Sequence, residues 1–193
     1  MKRSSLVFVL LSTWLAASAQ GDASGEQATR PWRIRGQVAG YQGLFSVGGG
    51  PLLAKGLWRP ALMYGFAPAD AYRSAVHQVV LRNDLVFLRK GRKNAWHVSP
   101  TASLNVLLET GRHSYLKLPE RFPRGYYMTP LPHLTMGAGA RLARSGMSWG
   151  PFKEWAFTGE VLALDSYLWY ALSERGFPLS DAIGLSFGAE LVW

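Results

Sequence analysis

Residues 182–193, AIGLSFGAELVW, alternate in character from one position to the next. Ile183, Leu185, Phe187, Ala189, Leu191 and Trp193 fall on one parity, and Gly184, Ser186, Gly188, Glu190 and Val192 on the other. A β-strand points successive side chains to opposite faces, so this stretch has one apolar face and one small or polar face. Terminal strands of soluble domains tend to fray. A large aromatic as the last residue therefore gains little there unless something apolar receives it.

The same pattern recurs from Pro31 onward. Over 96–109, WHVSPTASLNVLLE, the even residues Trp96, Val98, Pro100, Ala102, Leu104, Val106 and Leu108 oppose His97, Ser99, Thr101, Ser103, Asn105 and Glu109, with Leu107 out of pattern. In HLTMGAGARLA, 133–143, Leu134, Met136, Ala138, Ala140 and Leu142 oppose Thr135, Gly137, Gly139 and Arg141. EWAFTGEVL, 154–162, sets Trp155, Phe157 and Val161 against Glu154, Thr158 and Glu160. LWRPALMYGF, 57–66, sets Trp58, Leu62, Tyr64 and Phe66 against Arg59. HQVVLRNDLVF, 77–87, sets Val79, Leu81, Leu85 and Phe87 against Gln78, Arg82 and Asp84, with His77 and Asn83 interrupting the apolar side.

The second face separates two all-β architectures. A soluble sandwich or a lipocalin-like barrel, whose apolar face turns inward around a small ligand, needs a solvated outer face where long lysines do well. Lysine is nearly absent from these strands. Their non-apolar positions are Gly, Ser, Thr and Asn with scattered Arg and carboxylates, which suits a crowded lumen where pairing must offset desolvation. On this parity Arg59, Arg82 and Arg141 share an interior with Asp84, Glu109, Glu154, Glu160 and Glu190. About eight strands leave room only for side chains, so the lumen is expected to be plugged. Trp58, Phe66, Trp96, Trp155 and Trp193 near strand ends fit interfacial girdles on a lipid-facing wall. Only a closed sheet satisfies every backbone group in lipid.

The terminal LSFGAELVW, with Phe187, Leu191 and Trp193 on its apolar parity, resembles the C-terminal signal of Gram-negative outer-membrane β-barrels, which the barrel-assembly machinery recognises. Beyond that strand, size and alternation are similar to the small barrels of the OmpA, OmpX, PagP and PagL kind, with no single family matched along the chain. The resemblance implies a closed, up-and-down antiparallel transmembrane barrel in the outer membrane. Seven segments are legible, and an even strand number from about eight upward in such proteins sets the expectation at eight. In RIRGQVAGYQGLFSVGGG, 33–50, the apolar parity changes between Val38 and Phe45, which fits a bulge or two short strands. LDSYLWYALSERG, 164–176, fits a short helix begun at Asp165 and a further strand equally well.

The first residues, MKRSSLVFVLLSTWLAASAQ, order two cations, an apolar run from Leu6 to Ala16 and the small residues Ala17, Ser18 and Ala19. That is the layout of a cleaved secretory signal over 1–19, with the mature chain beginning at Gln20. The apolar run is shorter than the roughly 20 residues of a membrane-spanning helix. A polar, period-free lead over 20–31 and a barrel over 32–193 complete the division. With 193 residues and 48% hydrophobic content, the chain has the size of one ordered domain. The absence of cysteine excludes disulfides, thiolate metal sites and a cysteine nucleophile.

The formal net charge is +9, and losing Lys2 and Arg3 with the signal lowers it by two. LRKGRKN, 88–94, reads as a solvated turn. GRHSYLKLPERFPRGYY, 111–127, is too long for a tight turn and interleaves Arg112, Lys117, Arg121 and Arg124 with Tyr115, Tyr126 and Tyr127. Arginine forks suit phosphate and tyrosine suits a boundary between apolar and wet surroundings, so this loop is the candidate contact for outer-membrane lipid, lipopolysaccharide or another envelope protein. Nucleic acid is not an expected partner of a secreted barrel. The function expected is therefore a non-enzymatic envelope interaction or structural role.

Catalysis by a lipid A-modifying enzyme, a deacylase or an acyltransferase, is the alternative. HVSP resembles the His-x-Ser pair of the lipid A deacylase family, with His97, Ser99 and Glu109 on one parity. Pro100 departs from that family's pattern, the stretch sits mid-chain, and Glu109 would lie about 33 Å or more from His97 along one strand. His113 and Ser114 are adjacent candidates for a palmitoyltransferase-like site with Glu120 or an aspartate. No His, Asp or Glu spacing suggests a metal, VGGGP at 47–51 lacks the lysine and helix of a phosphate loop, and no cofactor is expected.

Overall fold

Trp193 ends the chain by pairing with the residue that begins the sheet: its amide donates to the Trp32 carbonyl at 3.0 Å, and the Trp32 amide returns a bond of 3.2 Å. This seam closes the fold. In this computed structural model residues 31–69, 75–87, 95–110, 132–146, 151–173 and 182–193 are described. The signal read over 1–19, all but Pro31 of the lead over 20–31, and the loop 111–127 with its candidate residues lie outside them.

Eight antiparallel strands run in chain order around one closed barrel. They are β1 Trp32–Val38, β2 Phe45–Pro51, β3 Trp58–Ala67, β4 Val76–Val86, β5 Trp96–Thr110, β6 His133–Ser145, β7 Glu154–Leu164 and β8 Ile183–Val192. Each strand pairs with the next, and β1 pairs with β8 through Ile34 opposite Leu191 and Arg35 opposite Glu190. This is the closed, up-and-down, eight-stranded barrel that the resemblance implies, one strand more than the seven segments legible by alternation.

The two ambiguous stretches resolve by local chemistry. Residues 33–50 form two short strands, because Ala39, Gly40 and Gly43 adopt positive φ of 62°, 81° and 96° and turn the chain between them. The Ala39 amide bonds the Leu44 carbonyl at 3.0 Å across that turn. Residues Asp165–Ser173 form a helix, α1, where the Asp165 carboxylate accepts the Ser166 amide at 2.7 Å. Tyr167 of α1 then packs on Tyr41, with ring centroids 5.8 Å apart.

The apolar parity faces outward. Leu62, Val98, Leu185 and Phe187 are 55–64% exposed on the outer wall, whereas Arg33, Arg35, Arg59, Arg82 and Arg141 inside are at most 1% exposed. A lipocalin-like arrangement, with its apolar face inward, is the reverse of this. His77 and Asn83, which interrupt the outer face, are both partnered: Tyr64 Oη meets His77 Nδ1 at 2.5 Å, and Trp58 Nε1 donates to Asn83 Oδ1 at 3.4 Å. The interior also holds a small apolar cluster of Ala61, Met63, Val80 and Leu107.

Candidate functional site

Five arginines and four carboxylates meet inside the barrel. Alternation brings them there: Arg33 and Arg35 from β1, Arg59 from β3, Arg82 and Asp84 from β4, Arg141 from β6, Glu154 and Glu160 from β7, and Glu190 from β8 all sit on inward parities. Every one of these side chains is buried.

Glu190 is the hub. Its Oε1 accepts from Arg33 at 2.5 Å and Arg35 at 2.9 Å, and its Oε2 from Arg141 at 2.9 Å and Arg59 at 3.3 Å. Asp84 accepts from Arg33 at 2.7 Å and lies 2.8 Å from Arg82. Glu160 accepts from Arg82 at 2.5 Å and Arg35 at 3.2 Å. Glu154 takes Arg141 at 2.5 Å and the Ser145 hydroxyl at 2.8 Å, with Arg59 farther away at 3.6 Å. Arg59 is thus the most loosely paired cation, although its Nε also donates to the Gly56 carbonyl at 2.9 Å. Charges removed from water need this density of charge-assisted bonds, because an uncompensated one is strongly destabilising.

The arrangement is a closed network of ion pairs. Each carboxylate is engaged by two or more arginines, which holds it within the network. What it does is fill the lumen and tie non-adjacent strands together across it: Arg33 of β1 reaches Asp84 of β4, Arg35 reaches Glu160 of β7, and Arg59 of β3 reaches Glu190 of β8.

The residues read from sequence separate along the barrel axis. Arg59, Arg82, Arg141, Asp84, Glu154, Glu160 and Glu190 come together. Glu109 has the inward parity but lies toward the opposite end of β5, opposite Gln78, whose amide donates to it at 3.1 Å. Arg33, Arg35, Gln37 and Gln42 belong to the interior set and were not read from sequence. Ser99 is fully buried in the wall of the lumen, opposite Arg141, and His97 sits opposite Ala143. Glu109 is twelve residues from His97 on the same strand, so His97, Ser99 and Glu109 do not converge. His113 and Ser114, like Arg112, Lys117, Arg121, Arg124, Tyr126 and Tyr127, fall outside the described residues. No group of three or more His, Asp or Glu that could hold a metal occurs among the described residues.

The outer wall carries its own organisation. Trp32, Trp58, Trp96, Trp155 and Trp193 lie at the end of the barrel where the chain enters and leaves, and Trp96 and Trp155 pack edge to face at 4.7 Å. Phe45, Tyr64, Phe66 and Phe187 ring the wall toward the other end. An apolar groove of about 590 Å³ runs between β8, β1 and β2, walled by Val38, Phe45, Val47, Tyr64 and Phe187. Comparison with protein-family models, with curated proteins and with solved structures finds no match.

Proposed function

We propose that this chain is a small outer-membrane β-barrel with a sealed lumen, acting as a non-enzymatic envelope interaction or structural protein. The observation that carries the reading is the inversion of the barrel: a predominantly apolar outer wall around a buried ionic interior. Soluble proteins rarely expose so much contiguous apolar surface, while in lipid such a wall is the natural exterior. Ten residues at about 3.3 Å each, tilted by about 40°, span about 25 Å, the height of the apolar band of such barrels. The tryptophans at one end and the phenylalanines and tyrosine at the other match the two interfaces of a bilayer. Arg144 points outward in register between Trp96 and Trp155, close enough to the barrel end for its guanidinium to reach headgroups.

The end bearing the two longest connections, 111–132 and 165–182, is the end expected to face outside, since extracellular loops of these barrels are the long ones. The basic and aromatic segment 111–127 belongs to that end by chain connectivity, and its arginines suit lipopolysaccharide phosphate or an acidic partner protein. Phe187, Leu191 and Trp193 on the outer face of β8 suit recognition by the barrel-assembly machinery. A lipid A-modifying activity has less support, because the buried Ser99 is out of reach of a lipid substrate.

Membrane fractionation with gel mobility before and after boiling tests the location. A protein that stays in the soluble fraction and migrates identically in both gels refutes it. Mass spectrometry of lipid A from cells with and without the protein tests the role: an unchanged acyl pattern, with weaker lipopolysaccharide capture by Arg121→Ala/Arg124→Ala, is the expected result. A changed acyl pattern overturns the non-enzymatic reading.

A further inference from the structure

A second polar concavity lies away from the arginine cluster, at the barrel end where β5 leaves and β6 enters. It is a cavity of about 300 Å³ whose lining includes Tyr41, Gln78, Glu109, His133, Ser166 and Tyr167. Its size suits a small ligand.

Two of its polar groups are acceptors on one wall, the Glu109 carboxylate and the Gln78 amide oxygen. Gln78 turns its NH2 to the Glu109 carboxylate at 3.1 Å, which leaves the amide oxygen pointing elsewhere. That oxygen is buried without a hydrogen-bond partner on a side chain only 7% exposed, a condition that proteins seldom leave uncompensated. His133 Nδ1 stands 3.6 Å from Asp165 Oδ1. Burial alone would raise the Asp165 pKa, but the hydrogen bond and charge of His133, with the amides of Leu134 and Ser166, outweigh it and hold the carboxyl below its ordinary range. Asp165 is thereby occupied, and among the described residues Glu109 is met by the Gln78 amide and by no cation. The Tyr41 and Tyr167 rings, tilted by 56° at 5.8 Å, supply π faces on the same cavity.

We propose that this cavity binds a small primary ammonium, with Glu109 and the Gln78 amide oxygen accepting its N–H groups and the Tyr41–Tyr167 pair as its aromatic wall. Three tetrahedral donors on one cation match a carboxylate, an amide oxygen and a ring face. A carboxylate ligand would meet repulsion from Glu109. The cavity is internal to the barrel end, so the proposal stands independently of the membrane the barrel occupies.

The test is calorimetric titration of the full-length, detergent-folded protein with n-butylammonium chloride, with n-butanol and sodium butyrate as isosteric controls. Saturable binding of the ammonium alone is expected. Glu109→Gln should weaken it at least about tenfold, the scale of one charge-assisted hydrogen bond. Tyr167→Leu, at a position 41% exposed, should weaken it about threefold or more, with heat-dependent gel mobility showing that the barrel is folded. Competition by vesicles containing phosphatidylethanolamine, and not by phosphatidylglycerol vesicles, assigns the amine to a lipid headgroup; no competition assigns it to a free amine. Absence of saturable binding, equal binding of butyrate, or equal affinity in wild type and a folded Glu109→Gln overturns the proposal.

Discussion

Replacing Glu190 by Gln tests whether the lumen is held by charge balance or merely by bulk. Five arginines face four carboxylates in the cluster, one cation in excess, and Glu190→Gln raises that excess to two while keeping the side-chain volume. It also strips Arg33, Arg35, Arg59 and Arg141 of a shared partner at 2.5–3.3 Å. Breaking one buried pair costs about 3–5 kcal/mol, and the loss should reach the upper end, about 5 kcal/mol. Arg59→Met works the other way. Its ion pairs are the long ones, 3.3 and 3.6 Å, and its loss leaves four cations against four anions, so about 1 kcal/mol or less is expected. Arg141→Met also balances the count, yet it removes contacts of 2.5 and 2.9 Å and leaves Glu154 to the more distant Arg59; about 3 kcal/mol is expected. The double variant Glu190→Gln/Arg59→Met should recover at least about 2 kcal/mol relative to the sum of the single changes, as coupled neighbours do. Reversible urea unfolding in phospholipid vesicles, read by tryptophan fluorescence, measures all four. Equal losses for Glu190→Gln and Arg59→Met, or additivity in the double variant, would refute the charge-balance argument.

Gly48→Val should prevent folding, since a Cβ there would collide with the Leu62 carbonyl and approach the Met63 Cα to 2.5 Å, whereas Gly36→Ala, with nothing within 4 Å, should leave gel mobility shifts on heating intact. Planar-bilayer recording should show no large, steady conductance, because guanidiniums buried to 1% or less fill the lumen; a stable open pore would contradict the seal. The depressed Asp165 pKa gives a signed pH effect. Its contribution to stability is fully present above the ordinary value of 3.8 and is lost as pH falls through that value toward the folded pKa, so acid denaturation profiles of wild type and Asp165→Asn should diverge only above that range.

Alternation along β4 to β8 was enough to place Arg82, Arg141 and Glu190 on one face, because a two-residue period carries facing information directly. It carries no information about height. Glu109 has the right parity and the wrong level, since level depends on the register between strands and on the tilt of the closed sheet, which no single segment encodes. Arg33 and Arg35 escaped for a different reason: β1 has only seven residues, and the left-handed turn at Ala39, Gly40 and Gly43 reverses the parity soon after it. Trp32, Ile34 and Val38 alternating with Arg33, Arg35 and Gln37 is the signal that marks them. The helix at 165–173 was undecidable from a stretch apolar on every side, and contact with Tyr41 across the barrel mouth is long-range information.

The seam between the first and last strands has a consequence for how the molecule reaches its closed form. Glu190 arrives on β8, the final strand, whereas all five arginines precede it in the chain. An open sheet of seven strands holds five guanidiniums against three carboxylates, and those cations keep one another apart. The strand that closes the backbone seam is also the one that delivers the fourth carboxylate, so hydrogen-bond closure and the fall of the cation excess from two to one come together. A sheet without β8 lacks both the seam hydrogen bonds and the Glu190 carboxylate. The last strand works as a keystone with a charge on it.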